Sequence, residues 1–225
     1  MFNFKLLFIL LFINSYQVSA VAITGNTTGA FLITKNSSTG VTESESASFE
    51  WGNGSSVFDG QSSLEVIGVK GLSINNAQPF KVAELTYTNT NITSSSAFSS
   101  TFANVDLAMS LNFDSSNSTG TYQFKSAIDI VETDNSLPDS ADSVSVILDN
   151  TNPFLSIDGQ DYIFELLGFS NGNAGFNHVF VQPEKSSSSV DLYAQITAVP
   201  LPPAALLFLT SLSGLFISAN RRKKG

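Results

Sequence analysis

The chain has 225 residues, 42% of them hydrophobic, with ten Lys and Arg against nineteen Asp and Glu and a net charge of −9. Five of the basic residues lie in the two terminal segments, so residues 21–198 carry five Lys against all nineteen acids, a net of −14, which argues against a nucleic-acid partner because phosphate binding needs a cationic surface. The absence of cysteine excludes a disulfide scaffold, a thiolate metal site and a cysteine nucleophile, and a single histidine, His178, excludes a site built from several imidazoles.

Residues 1–20 read as a secretory signal peptide. Lys5 supplies the positive start, residues 6–13 form an apolar run too short for a comfortable bilayer span, and Val18-Ser19-Ala20 offers small residues for cleavage, so the mature chain is expected to begin near Val21.

Residues 21–198 are long enough for one domain with its own core. No segment has the period of a long amphipathic helix, whereas apolar and polar residues alternate repeatedly, the mark of strands with one buried face. Strands are predicted at 29–34, 47–51, 63–67 and 80–87. Val105, Leu107, Met109, Leu111 and Phe113 then share one face, with Asn104, Asp106, Ser110 and Asn112 opposite. Tyr122, Phe124, Ile128 and Ile130 alternate in the same way, with Ser126 as the one polar break. A strand at 142–148 precedes two more, 154–157 and 162–169, which flank Asp158-Gly159; this dipeptide tolerates positive φ and predicts a tight hairpin. A strand at 178–182 comes next. Last come Val190, Leu192, Ala194 and Ile196, alternating with Asp191, Tyr193, Gln195 and Thr197. About ten short strands with Ser-, Asn-, Gly- and Asp-rich connections predict an all-β, antiparallel, jelly-roll-like sandwich.

Val199, Pro200, Leu201 and Pro202 open the last segment, 199–225. Residues 203–219 are dominated by Leu, Phe, Ala and Ile, and Arg221, Arg222, Lys223 and Lys224 come after them. Such a stretch makes about 25 Å of helix, the low end of what crosses hydrocarbon, and its basic end stays cytoplasmic, which puts residues 21–198 outside the membrane. These three parts in this order resemble the PEP-CTERM sorting signal in its Val-Pro-Leu-Pro variant, with Leu201 where the common form has Glu. The resemblance implies processing by a membrane transpeptidase of the exosortase family, in preference to a permanent single-span anchor.

The body carries a second resemblance. Its residues are Phe49-Glu50-Trp51-Gly52, Ser63-Leu64-Glu65-Val66-Ile67-Gly68, Phe80-Lys81-Val82-Ala83-Glu84-Leu85-Thr86-Tyr87-Thr88-Asn89, Ala141-Asp142-Ser143-Val144, Ile157-Asp158-Gly159-Gln160-Asp161-Tyr162, Leu167-Gly168-Phe169, and Glu184 with Leu192-Tyr193-Ala194-Gln195-Ile196-Thr197. In their order and spacing they resemble the choice-of-anchor K domain over most of residues 44–198. That family implies an exported all-β domain without an agreed catalytic activity, set by context in an extracellular polymer matrix.

Candidate chemistry is sparse. His178 has no nucleophile-elbow motif to serve, and it reads as a loop-edge residue. Glu50, Glu65, Glu84, Glu165 and Glu184 supply the residue type that glycoside hydrolysis uses, though spacing along a chain does not pair them. Calcium is the ion whose hard oxygen ligands are on offer: Asp134, Asp139 and Asp142 cluster before a strand, and Asp158 and Asp161 flank a turn, neither group having an EF-hand pattern. No other cofactor is expected. Trp51, Tyr87, Tyr162 and Tyr193 are candidates for a sugar-stacking platform, with membership of the core as the plainer alternative. The sequence thus predicts a non-catalytic exported surface or matrix protein, held at the membrane by its C-terminal helix until processed. A carbohydrate-binding module with extracellular polysaccharide as partner is the first alternative, and a secreted glycosidase or lyase the second.

Overall fold

The computed structural model describes residues 23–35, 42–53, 60–92, 97–133, 140–147, 154–172 and 175–200. The expected leader, the calcium candidates Asp134 and Asp139, and the sorting signal from Leu201 through Arg221, Arg222, Lys223 and Lys224 lie outside the described residues.

Thirteen strands and one helical turn succeed one another along the described chain: β1 (Ile23–Lys35), β2 (Thr42–Ser46), β3 (Ser48–Trp51), β4 (Ser62–Gly68), β5 (Leu72–Ile74), β6 (Pro79–Asn89), α1 (Phe98–Thr101), β7 (Phe102–Asp114), β8 (Thr119–Val131), β9 (Ala141–Ile147), β10 (Phe154–Ile157), β11 (Gln160–Ser170), β12 (Val179–Pro183) and β13 (Ser186–Ala198). They form two antiparallel sheets. The first has the order β12-β9-β8-β7-β1-β2, with β5 also paired to β1, and the second the order β10-β11-β13-β6-β4-β3. Every predicted strand is present. β2 and β5 are additional, β1 starts six residues earlier than alternation suggests, and β6 continues to Asn89.

Alternation becomes packing directly. Val105, Leu107, Met109, Leu111 and Phe113 of β7 all face the other sheet and are buried, as are Val190, Leu192, Ala194 and Ile196 of β13. A side-chain period of two makes each such strand bury one face against its counterpart. Ser126 sits in phase with the buried face of β8 because its hydroxyl donates to the Ile147 carbonyl at 2.7 Å, which removes the cost of an unpaired polar group.

Two bulges shape the second sheet. Leu192 pairs with Ala83 and Tyr193 with Lys81, so Val82 is the extra residue in β6; Leu166 pairs with Ala194 and Gly168 with Tyr193, so Leu167 is extra in β11. The Val82 carbonyl receives the Thr27 hydroxyl at 2.5 Å, while Val69 N donates to that same hydroxyl oxygen at 2.8 Å and Thr27 N donates to Val69 O at 2.7 Å. Thr27 of β1 thereby joins the first sheet to β6 and to the end of β4 in the second.

The Asp158-Gly159 hairpin forms as expected, with Ile157 opposite Gln160 and positive φ of 52° and 77° at the two turn residues. A Cβ on Gly159 would meet no atom within 4 Å, so Gly159→Ala is a purely conformational change. It is expected to cost about 1 kcal/mol, read as a small drop in the chemical-denaturation midpoint with an unchanged slope.

Candidate functional site

Where β8 and β12 end and β9 begins, the first sheet delivers three carboxylates into the space between the sheets. Glu132 comes directly after β8, Asp142 is the second residue of β9, and Glu184 comes directly after β12. The second sheet meets them with Trp51 from the end of β3 and with Tyr87 and Asn89 from the end of β6. Period two explains the inward set: Leu85, Tyr87 and Asn89 share the buried face of β6, as Asp142, Val144 and Val146 do in β9.

Glu132 is held at both oxygens. Trp51 Nε1 donates to Oε1 at 2.6 Å, and the Phe98 amide at the start of α1 donates to Oε2 at 2.7 Å. Asp142, almost wholly buried, receives Thr133 N at 2.7 Å and Thr133 Oγ1 at 3.1 Å on Oδ1, and the Tyr87 hydroxyl at 3.2 Å on Oδ2. Asn89 Nδ2 donates to the Gln182 carbonyl at 2.9 Å and to Glu184 Oε1 at 3.3 Å. The Gln182 side chain is fixed in turn by the hydroxyls of Ser186 and Ser188.

Electrostatics are set by burial. The Glu184 carboxyl is pushed up to about 7, first by burial and then by the charge of Asp142, with the Asn89 amide pulling the other way, Glu132 adding to the rise and Lys185 opposing it. Burial also raises Glu132, against the two donors from Phe98 and Trp51 and with a further push from Asp142. The Tyr87 hydroxyl is driven far above its usual range by burial and by Asp142, so it stays a neutral donor. Two buried acceptors in the cluster, Asn89 Oδ1 and Glu184 Oε2, have no hydrogen-bond partner among the described residues. The arrangement can therefore take up a positive charge or a proton.

Of the sequence candidates, Trp51, Tyr87, Asp142 and Glu184 belong to the cluster, and the others among the described residues fall elsewhere. Trp51, Tyr87 and Tyr162 are buried and form no sugar-stacking platform, because their ring faces are taken by other side chains or the sheets. Trp51 stacks on Tyr87 with ring centroids 5.7 Å apart and meets Phe98 edge-on at 5.5 Å. Tyr193 alone keeps partial exposure, on the outer face of the second sheet beside Phe176 at 5.5 Å. His178 is exposed just before β12, and its carbonyl accepts Val146 N at 3.0 Å. Glu50, Glu65 and Glu165 are exposed, and Glu84 is tied to Lys81 at 2.8 Å, a lysine that also reaches Asp191 at 2.6 Å; only Glu184 turns into the cluster.

The three calcium candidates among the described residues, Asp142, Asp158 and Asp161, do not converge. Asp142 is spent on Thr133 and Tyr87, Asp158 Oδ1 accepts the hydroxyl of Ser115, from the β7–β8 turn, at 2.8 Å, and Asp161 is exposed. Among the described residues no three His, Cys, Asp or Glu side chains gather as metal ligands. Shallow troughs lie on the outer face of the first sheet, one of them bordered by Ala30, Ala108, Glu45 and Lys125, and the carboxylate cluster lines neither. Asn89, Glu132 and Gln182 belong to no motif that marks them as site residues in the sequence. The available signal is phase: Asn89 and Gln182 are polar residues at inward positions of strands whose other inward residues are apolar. No protein-family model matches the chain, and no curated protein gives a significant match to it.

Proposed function

We propose that this chain is a non-catalytic, exported bacterial surface or matrix protein, a jelly-roll-like β-sandwich delivered by its leader and processed at its C-terminal sorting signal by an exosortase-type transpeptidase. The observation that carries the reading is the ordered run of Val199-Pro200-Leu201-Pro202, apolar residues 203–219 and the terminal Arg221-Arg222-Lys223-Lys224. The resemblance of the body to choice-of-anchor K domains supports it.

The end of the fold suits this assignment. β13 finishes at Ala198, and Val199 is still held, its amide donating to Asp161 O at 2.8 Å and its carbonyl accepting Gln160 Nε2 at 2.8 Å. The sandwich is thus closed one residue before Pro200, and cleavage beyond that point takes none of the thirteen strands from either sheet. A net of −14 over residues 21–198 keeps the domain soluble and directs it to anionic polysaccharide only through bridging cations.

Intact-mass spectrometry of the protein recovered from expressing cells tests the proposal. A species beginning near Val21 and ending within residues 199–203 is the expected result; a mature protein that retains Arg221–Lys224 would overturn it.

A further inference from the structure

We propose that Glu184 is carried in the folded protein as a neutral carboxylic acid whose proton completes a two-point pair with the Asn89 amide, and that this pair is a pH-sensitive latch holding the β12–β13 turn onto β6. Two unused acceptors mark the place. Asn89 is fully buried, and its Nδ2 is engaged with the Gln182 carbonyl at 2.9 Å and with Glu184 Oε1 at 3.3 Å. Its Oδ1 takes no hydrogen bond from the described residues, and neither does the buried Oε2 of the glutamate to which it is bound. Buried oxygens left in this state carry a desolvation cost that nothing repays. An ionised carboxylate is an acceptor only, so it cannot relieve the amide oxygen; a protonated one adds a single O–H donor. A carboxylic acid and a primary amide are complementary in this way, amide N–H to acid carbonyl and acid O–H to amide carbonyl. Half of that pair is already present between Asn89 Nδ2 and Glu184 Oε1.

The surroundings favour the neutral form. From the first sheet, Asp142 in β9 and Glu132 after β8 both bear on Glu184 with like charge, and the one cation among the described residues that acts on it is Lys185, the next residue in the turn, which is itself exposed. From the second sheet the facing titratable group is Tyr87, whose proton is committed to Asp142 at 3.2 Å and is not offered to Glu184. Ionising Glu184 would put a third negative charge into this end of the sandwich and leave the Asn89 oxygen orphaned again.

Linkage sets the sign. The carboxyl stands near 7 in the folded protein against 4.5 for an unperturbed glutamate, so the folded state binds the proton more tightly. The latch contributes fully below pH 4.5, weakens as pH rises from there, and is lost above about 7.

Three measurements on the full chain in mild detergent decide the matter. A carbon-13 NMR titration, with Glu184 assigned through its backbone, should give a side-chain carboxyl midpoint within about one unit of 7; a midpoint in the ordinary glutamate range overturns the proposal. Thermal melts between about pH 5 and about pH 8.5 should show a fall of roughly 2–4 °C in the wild type. Glu184→Gln supplies a donor to Asn89 without a titrating proton, and should flatten that fall, leaving only the part due to Glu132. An undiminished fall in the variant would overturn the latch. Calcium chloride is the third arm, and no change in Tm is expected from it. A rise in Tm with calcium above pH 8 that Glu184→Gln abolishes would mean that the free oxygens hold a cation, and the proton reading would then be wrong.

Discussion

Trp51→Ala is expected to lower the unfolding free energy by about 3–5 kcal/mol, the largest loss for any single truncation in this core. Trp51 is 1% exposed, stacks on Tyr87, meets Phe98 edge-on and lies 5.4 Å from the Phe49 ring. Its removal empties the middle of an aromatic cluster that joins β3, β6 and α1. It also deletes the 2.6 Å bond from Nε1 to Glu132, leaving one oxygen of a half-buried carboxylate without its donor. Trp51→Phe separates these contributions, because it keeps much of the ring volume and loses the indole N–H; about half the alanine loss is expected. Since Trp51 is the sole tryptophan, its fluorescence disappears with it, and urea titration must be followed by circular dichroism. A loss below about 1 kcal/mol in the alanine variant would mean that the indole does not occupy the interior as described.

Gly68→Ala should be comparably damaging, for a steric reason. A Cβ at Gly68 would lie 2.1 Å from the Thr27 carbonyl oxygen and 2.7 Å from its carbon, backbone atoms that Thr27 holds in place through its bonds to Val69 and Val82. No side chain can rotate away to admit the methyl group, so β1 and β4 must separate, at a cost of about 3 kcal/mol. Gly71→Ala is the matched control. It has φ of 68° with no atom within 4 Å of the added carbon, and it should lose only about 1 kcal/mol. Equal losses at the two positions, measured by the same denaturant titration, would refute the steric account.

The strands legible in the sequence are those with one face in the core. β7 and β13 announce themselves through five and four in-phase apolar residues. β2 cannot do so: Thr42–Ser46 reads Thr-Glu-Ser-Glu-Ser and pairs only with the far part of β1, at the border of its sheet, so no inward apolar series exists to be seen. β5 has three residues, too few to establish a period. The carboxylate cluster is hidden for a different reason. Glu132 and Asp142 flank one connection and meet through the pairing of β8 with β9, but Glu184 joins them through the pairing of β9 with β12, and Asn89 through the packing of the two sheets. Tyr87 and Trp51 are visible as aromatic residues, but their roles are not. The same ring types serve an exposed platform or a buried donor, and burial decides which.

The position of β13 has a mechanical consequence. This strand is flanked on both sides, by β6 and by β11, and its ladder bonds run across its axis. A pull entering through Val199 is directed along the strand, so it stretches both rows of bonds together in shear instead of opening them one at a time as peeling would. A tether at this terminus thus loads the domain in shear through a strand paired on both sides, and rupture under force is set by the rate of unfolding more than by the equilibrium.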